Sequence, residues 1–242
     1  MYSKLYSNFS IIWWNFARLV GVAIVLAFAA GGPVSARDLP APGATQGMRA
    51  PSDADLALLQ EINAARADPR AYAQMLRADL THYRGRLLEA PGREPLMTEE
   101  GVAALEDAIA DLERRTPAPP LRPDSAVATA ALRLVADEGA SGRIGHVSSD
   151  GSTLRDRFHA AGVRGVTMEE DIAYGPRDPS EVVRELIVDD GVPDRGHRTA
   201  IFDANMDRAG SACGPHATWR WMCVIDFAGA LTHPIARNNL GR

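Results

Sequence analysis

Two cysteines ten residues apart are the feature that most constrains this chain. Cys213 and Cys223 bracket "GPHATWRWM", and the residues beyond the loop alternate. Trp219, Trp221, Cys223, Ile225 and Phe227 fall on one side, with Arg220, Met222, Val224 and Asp226 on the other. That period of two is a strand. If Cys213 faces Cys223 across an antiparallel hairpin, Ser211 faces Ile225 and Ala209 faces Phe227, a self-consistent register. A disulfide closing so short a loop would stabilise the fold by about 2–3 kcal/mol in the chain-entropy model. The alternative is a pair of reduced thiols in the core.

Redox compartment decides between them, and the N-terminus speaks to it. Residues 1–36 hold no acidic residue, carry Lys4 and Arg18, and run through "LVGVAIVLAFAAGGPVSA" to the small-x-small end Val34-Ser35-Ala36. This is the pattern of a secretory signal peptide, so an exported chain, periplasmic or extracellular, is expected, with an oxidised cysteine pair. An uncleaved membrane anchor is the competing reading, helped by the apolar Ile11–Trp14. After cleavage no stable membrane span is expected. Without a cysteine in the segment, a lipoprotein anchor is excluded.

Cleavage would remove two of the 26 cations, leaving 24 against 31 acidic residues, a formal charge of −7. An acidic domain with no basic run makes a poor nucleic-acid binder, since phosphate neutralisation needs clustered Lys and Arg. Lys4 is the only lysine of the chain. The mature protein therefore has no Schiff-base lysine, no serine–lysine pair and no P-loop lysine.

Residues 37–51, rich in Pro, Gly and Ala, read as a flexible leader. A helix capped by Ser52 or Asp53 follows, interrupted at Asp68-Pro69 and resumed as a short second helix. An amphipathic helix is expected from about Thr98 to Arg115. Another runs through "RPDSAVATAALRLVADEGASG" and ends at Gly139 and Gly142. Thr153 and Asp156 fit a capping box for a short helix ending at Gly162. "VTMEEDIAYG" reads as extended, and "DPSEVVRELIVDD" as a helix with Pro at its first position. A brief helix from His197 leads into the cysteine strands. Helices followed by helices mixed with a few antiparallel strands indicate an α+β layered domain over residues 52–231, with a tail at 232–242.

Common catalytic signatures (HExxH, GxSxG, a Gly-rich nucleotide loop, four-Cys zinc spacing) are absent from the sequence. What remains is scattered imidazoles and carboxylates that only a fold can assemble. His146 lies in "GRIGHVSSDGS", past a helix end. His197 lies in "DDGVPDRGHRTAIF", where a helix N-terminus would lower its pKa and keep it neutral. Glu170 is the middle of three acids in an apolar segment, and Asp189 and Asp190 close a helix where carboxylates are electrostatically ill placed without a nearby cation. Two neutral imidazoles and two carboxylates meeting in a cleft would suit a borderline divalent ion. Each histidine alone could equally be a cap or turn residue, and Glu169–Asp171 a solvated strand edge. His82, His159 and His233 read as surface residues and His216 as part of the hairpin loop. A phosphate at Gly196-His197-Arg198 is a weaker alternative.

In order and spacing, "INAARADP", "LRPDSAVATAALRLVADEG", "GHVSSDGSTLRDRFHAAG", "EEDIAYG", "ELIVDDGVPDRGHRTAIF" and "AGSACGPHATWRWMCVIDFAG" resemble the CAP superfamily, the SCP-like cysteine-rich secretory, antigen 5 and pathogenesis-related proteins. The resemblance covers roughly Asp53 to Ala230. It implies an α-β-α sandwich with a small antiparallel sheet between helices, and a cleft holding two histidines and two acids that binds zinc or another divalent cation in some members. By motif, His146 and His197 match the histidines and Glu170 the glutamate of the family's G-E-N stretch. Asp189 is the best match for the second acid, with Glu185 or Asp190 as alternatives. Here G-E-N reads Glu169-Glu170-Asp171, which is expected to make the cleft more negative. Residues 78–120 read as a helical insertion. The resemblance implies an exported binder of a lipid, peptide or protein ligand. The alternative is a metal-assisted hydrolase, peptidase or esterase, with Glu170 as base and Ser148 or Ser149 in reach of His146. A third reading makes the four residues a hydrogen-bonded polar core.

Overall fold

Helices and strands interleave along residues 52–230, which the computed structural model describes. The signal segment, the leader and the tail with His233 lie outside the described residues. In chain order the elements are α1 (Asp53–Ala67), α2 (Pro69–Arg77), a 3-10 turn (Ala78–His82), β1 (Tyr83–Arg84), β2 (Leu87–Leu88), β3 (Leu96–Met97) and α3 (Val102–Arg114). They continue with β4 (Arg122–Pro123), α4 (Ser125–Ser141), α5 (Leu154–Ala160), β5 (Val166–Tyr174), α6 (Pro179–Val188), α7 (Gly196–Phe202), β6 (Arg208–His216) and β7 (Arg220–Ala230).

Local chemistry sets most boundaries. Ser52 and Asp55 form a capping box at α1, and Thr153 and Asp156 form the expected one at α5. Asp68 caps α2, whose first residue is Pro69. α4 passes through Gly139 and stops at Gly142, whose φ of 71° is the left-handed C-terminal cap that glycine adopts without strain. α3 begins later than periodicity suggested, because Gly101 with φ 67° occupies its N-cap. The 78–120 segment also carries a three-stranded antiparallel ribbon, β1-β2-β3, that its short strands did not announce.

The register expected of the cysteine hairpin is the one observed. Ala209 pairs with Phe227, Ser211 with Ile225 and Cys213 with Cys223, and the two sulfurs are joined. The central sheet runs β4-β6-β7-β5, antiparallel except that β4 lies parallel to β6 over two residues. α4 and α5 cover one face, where Leu134, Ile172, Ala212 and Val224 meet, with Phe158 and Ala228 beside them. α1, α6 and α7 cover the other, with α2 and α3 extending the same core; Ile62, Val183, Ile201, Ile225 and Phe227 lie here. This is the α-β-α sandwich. α4 lies flush on β6 at Gly210, where a Cβ would come within 2.0 Å of the Ala128 backbone.

One buried cation ties the second face together. Arg66, fully inaccessible, donates to the carbonyls of Pro119, Ile201, Asp203 and Met206. Three positions earlier on α1, Asn63 exchanges hydrogen bonds with both the N–H and the C=O of Leu121. α1 thus supplies backbone partners to an irregular stretch and to the end of α7, which could not be buried without them. Replacing Arg66 by Met would take the donor from four carbonyls, of which those of Ile201 and Met206 are buried. We expect a stability loss of about 3–5 kcal/mol in urea denaturation; a loss below about 1 kcal/mol would contradict this role.

Candidate functional site

Among the described residues β5 is an edge strand of the sheet, and its side chains alternate between the two faces. Ile172 and Tyr174 pack on the α4 side and Ala173 on the α6–α7 side. The same parity sends Glu170 toward α4 and Asp171 toward α6 and α7. Consecutive acids in the sequence therefore serve different neighbourhoods.

On the α4 side, the loop after Gly142 carries His146, whose side chain is 56% exposed. Its Nδ1 lies 3.0 Å from Glu170 Oε1; since a carboxylate only accepts, Nδ1 carries the proton. The other carboxylate oxygen accepts from buried Arg157, which also donates to the carbonyls of His146 and Ser152. Burial alone would raise the Glu170 pKa, but the His146 hydrogen bond and the Arg157 charge hold it below the usual carboxylate range. Asp226 faces Glu170 across the β5–β7 pairing and is fully buried. Burial, then the adjacent Glu170 charge, pushes its pKa well above the ordinary carboxylate range. Behind the loop, Tyr174 donates to Glu138 at 2.8 Å and accepts from Gly145 N–H at 3.0 Å, which pins the residue preceding His146. Burial raises Glu138 to about 7.

On the α6–α7 side, Asp189 closes α6 in the left-handed region with φ 59°. There its carboxylate meets His197 Nδ1 at 2.6 Å and accepts the backbone N–H of Arg198 at 3.2 Å. The second-acid alternatives go elsewhere. Asp190 accepts the N–H groups of Glu99 and Glu100, and Glu185 is raised to about 8 by burial and then by Glu181. His197 is not the neutral imidazole that a helix N-terminus suggested. Burial lowers its pKa, but the Asp189 hydrogen bond and the Asp171, Asp189 and Asp194 carboxyls outweigh that and raise it to about 9. The Asp189 hydrogen bond and the surrounding carboxyls exceed the partial charge at the end of a seven-residue helix.

The four expected residues therefore come together as two pairs, His146 with Glu170 and His197 with Asp189. Among the described residues no group of three or more His, Cys, Asp or Glu side chains is arranged to hold a metal ion. Both oxygens of Glu170 and both of Asp189 are already engaged by protein donors. The nitrogens left to a cation are the Nε2 atoms, which have no hydrogen-bond partner among the described residues. A carboxylate on Nδ1 is the arrangement that fixes the tautomer and orientation of a metal-binding imidazole and raises its basicity. The donor set fits an ion held through imidazole with carboxylates behind it, and does not fit a cage of four protein ligands.

Other expectations are revised. Asp171 is 1% exposed, and burial raises its pKa far above normal, which opposes the extra negative charge this departure from G-E-N would otherwise bring. His216 is the last residue of β6 rather than a loop residue; it is buried, bonded to the Arg143 carbonyl and the Trp219 N–H. Ser148 is buried beside Arg157 and Ser149 donates to Asp137, so neither serine bonds to His146. Sequence reasoning missed Arg157, Glu138 and Asp226. Only Asp226 left a signal, as a lone acid inside the apolar run "CVIDFA".

Residues 59–227 match the family model described as CAP: Cysteine-rich secretory protein family. Among solved structures, an outer surface protein from Borrelia burgdorferi is similar at 20% identity and a TM-score of 0.41, over 52% of this chain and 90% of that one. An extracellular protein containing an SCP domain from Bacillus anthracis str. Ames is similar at 19% identity and a TM-score of 0.40, over 50% of this chain and 39% of that one. No curated protein matches.

The raised pKa of His197 has a measurable sign. Folded and unfolded states both hold its proton below about pH 6.5, where the full contribution is present. Above that pH only the folded state keeps it, so stability falls as pH rises and the contribution is gone above about 9. Relative to His197→Gln, the wild type should lose on the order of 3 kcal/mol between pH 6 and 10 in denaturant titrations. A difference between the two proteins that does not change with pH would contradict the assignment.

Proposed function

Because this chain belongs to the CAP, cysteine-rich secretory protein family, we propose that it is an exported binding domain whose two carboxylate-backed histidines hold a divalent cation, zinc foremost, at the site of ligand capture. The observation that carries this reading is the pairing of each Nδ1 with a buried carboxylate while neither Nε2 has a hydrogen-bond partner among the described residues. His146 and His197 would hold the ion, which would supply a positive centre for a ligand oxygen. Glu170 and Asp189 orient the imidazoles, and Arg157 keeps Glu170 ionised. The N-terminal pattern, the acidic charge and the disulfide support export.

Around His146 the surface suits a peptide or protein segment. Ile144 and Val147 flank the imidazole, 44% and 45% exposed. A polar recess of about 270 Å³ beside them is lined by Arg133, Asp137, Ser148, Asp150 and Arg157, among others. Apolar contacts next to polar ones match a chain of mixed side chains; a lipid ligand is the alternative for the same cleft. Among the described residues no helix is long and apolar enough to cross a membrane. The hydrolase alternative loses support at its proposed base, since Glu170 is buried and both its oxygens are engaged.

Zinc calorimetry on the full chain tests this reading. Wild type should bind one ion, His146→Ala and His197→Ala should each weaken binding at least about tenfold, and Glu170→Gln or Asp189→Asn by about 10–100-fold. Since His197 must release its proton to bind, affinity should rise about tenfold per pH unit up to about pH 9. No binding by wild type, or equal binding by the histidine variants, would overturn the proposal.

A further inference from the structure

The turn that carries Asp189 and His197 is gripped by a part of the chain that contributes nothing to either histidine pair. Between α6 and α7 the backbone enters the left-handed region at two non-glycine residues, Asp189 with φ 59° and Arg195 with φ 51°. Such positions cost of order 1 kcal/mol or more each and persist when their surroundings over-determine them.

Here the surroundings are the first turns of α3 and the residues before it. Asp190 accepts the N–H groups of Glu99 and Glu100 at 2.6 and 2.8 Å. In return Glu100 accepts Gly191 N–H at 2.8 Å and takes Arg195 bidentately at 2.6 and 2.7 Å. Arg195 uses the same guanidinium to hold the carbonyls of Asp189 and Val192. Seven residues on, within α3, Asp107 accepts from Arg195 Nε and from both terminal nitrogens of Arg198, all at 3.1 Å. Arg198 is 2% exposed in its side chain and binds the carbonyls of Ile187 and Val188 at the end of α6. Its own N–H is the one that Asp189 accepts. Two carboxylates of α3 and its approach thus reach, through two arginines, the backbone on both sides of the Asp189–His197 hydrogen bond.

We infer that Glu100 and Asp107 are positioning residues for His197, acting through Arg195 and Arg198 to hold the α6–α7 turn in the one geometry that sets Asp189 against the imidazole. The inference rests on the metal-binding reading for its functional consequence, but its structural half stands apart from any metal. Bidentate charge-assisted bonds give directional hold rather than bulk attraction. Without Glu100 and Asp107, Arg195 would lose both its carboxylate partners and Arg198 would keep only Asp111 at 3.7 Å, so the two left-handed residues would lose most of their restraint.

The test uses the full chain carrying Glu100→Gln, Asp107→Asn or, as control, Glu113→Gln, which removes an α3 carboxylate paired with Arg77 away from the turn. Amide hydrogen exchange without metal, followed at Arg198, reports the geometry directly. Zinc calorimetry reports its consequence. We expect faster Arg198 exchange and about three- to tenfold weaker zinc binding in the first two variants, less than for loss of a direct partner, and neither change in the control. Unchanged Arg198 exchange, or faster exchange with undiminished zinc affinity, would overturn the inference. If wild type binds no zinc, the functional reading falls while Arg198 exchange still decides whether the clamp exists. Should one variant fail to fold, the other carries the same test.

Discussion

A strand cannot aim two consecutive side chains at the same neighbour, and this constraint on β5 organises the whole site. Glu170 and Asp171 are adjacent in sequence and belong to opposite faces of the sheet. One orients His146; the other lies buried in the neighbourhood of His197. The second histidine must therefore find its hydrogen-bonding carboxylate elsewhere, and Asp189 supplies it from the end of α6. Because β5 is an edge strand, helices and loops from both faces can approach its free side. The layered fold thereby becomes a means of bringing two imidazole–carboxylate pairs to one sheet edge.

Burial assigns the acids different charges. Glu170 accepts from a protonated imidazole nitrogen and a buried guanidinium, so it stays ionised although little of it is exposed. Among the described residues Asp226 and Asp171 have no such cation in hydrogen-bond contact, and desolvation raises their pKa values well above the ordinary range. A count of carboxyls in the sequence would make this region strongly negative. Sorted by hydrogen-bond partner, it contains two carboxylates committed to protein donors and buried acids whose pKa values desolvation raises. That balance suits imidazole-led cation binding better than a carboxylate cage.

The fold was more legible than the site. The capping box at Thr153, the Pro179 start of α6 and the alternation around Cys223 depend on residues close in sequence and were read correctly, while the first helix was given Ser52 or Asp53 as its cap and uses Ser52. The late start of α3 turned on one glycine's backbone conformation, and the β1–β3 ribbon on strands of two residues, too short to show a period. For the site, the four residues were identifiable but their grouping was not. His197 was misjudged because its charge depends on Asp171 and Asp189, which only the fold brings near. Arg157 sits in a short polar helix where nothing local distinguishes a buried cation from a solvated one. The clamp by Glu100 and Asp107 spans about ninety residues and left no trace in periodicity.

The central claim is that the histidines are metal ligands through Nε2 with their carboxylates intact behind them. Long-range proton–nitrogen spectra of ¹⁵N-labelled imidazoles during zinc titration address it directly. The account predicts that the Nε2 resonances of both His146 and His197 move on binding while both Nδ1 atoms stay protonated and hydrogen-bonded. Movement centred on Nδ1, or no movement at either ring, would contradict it.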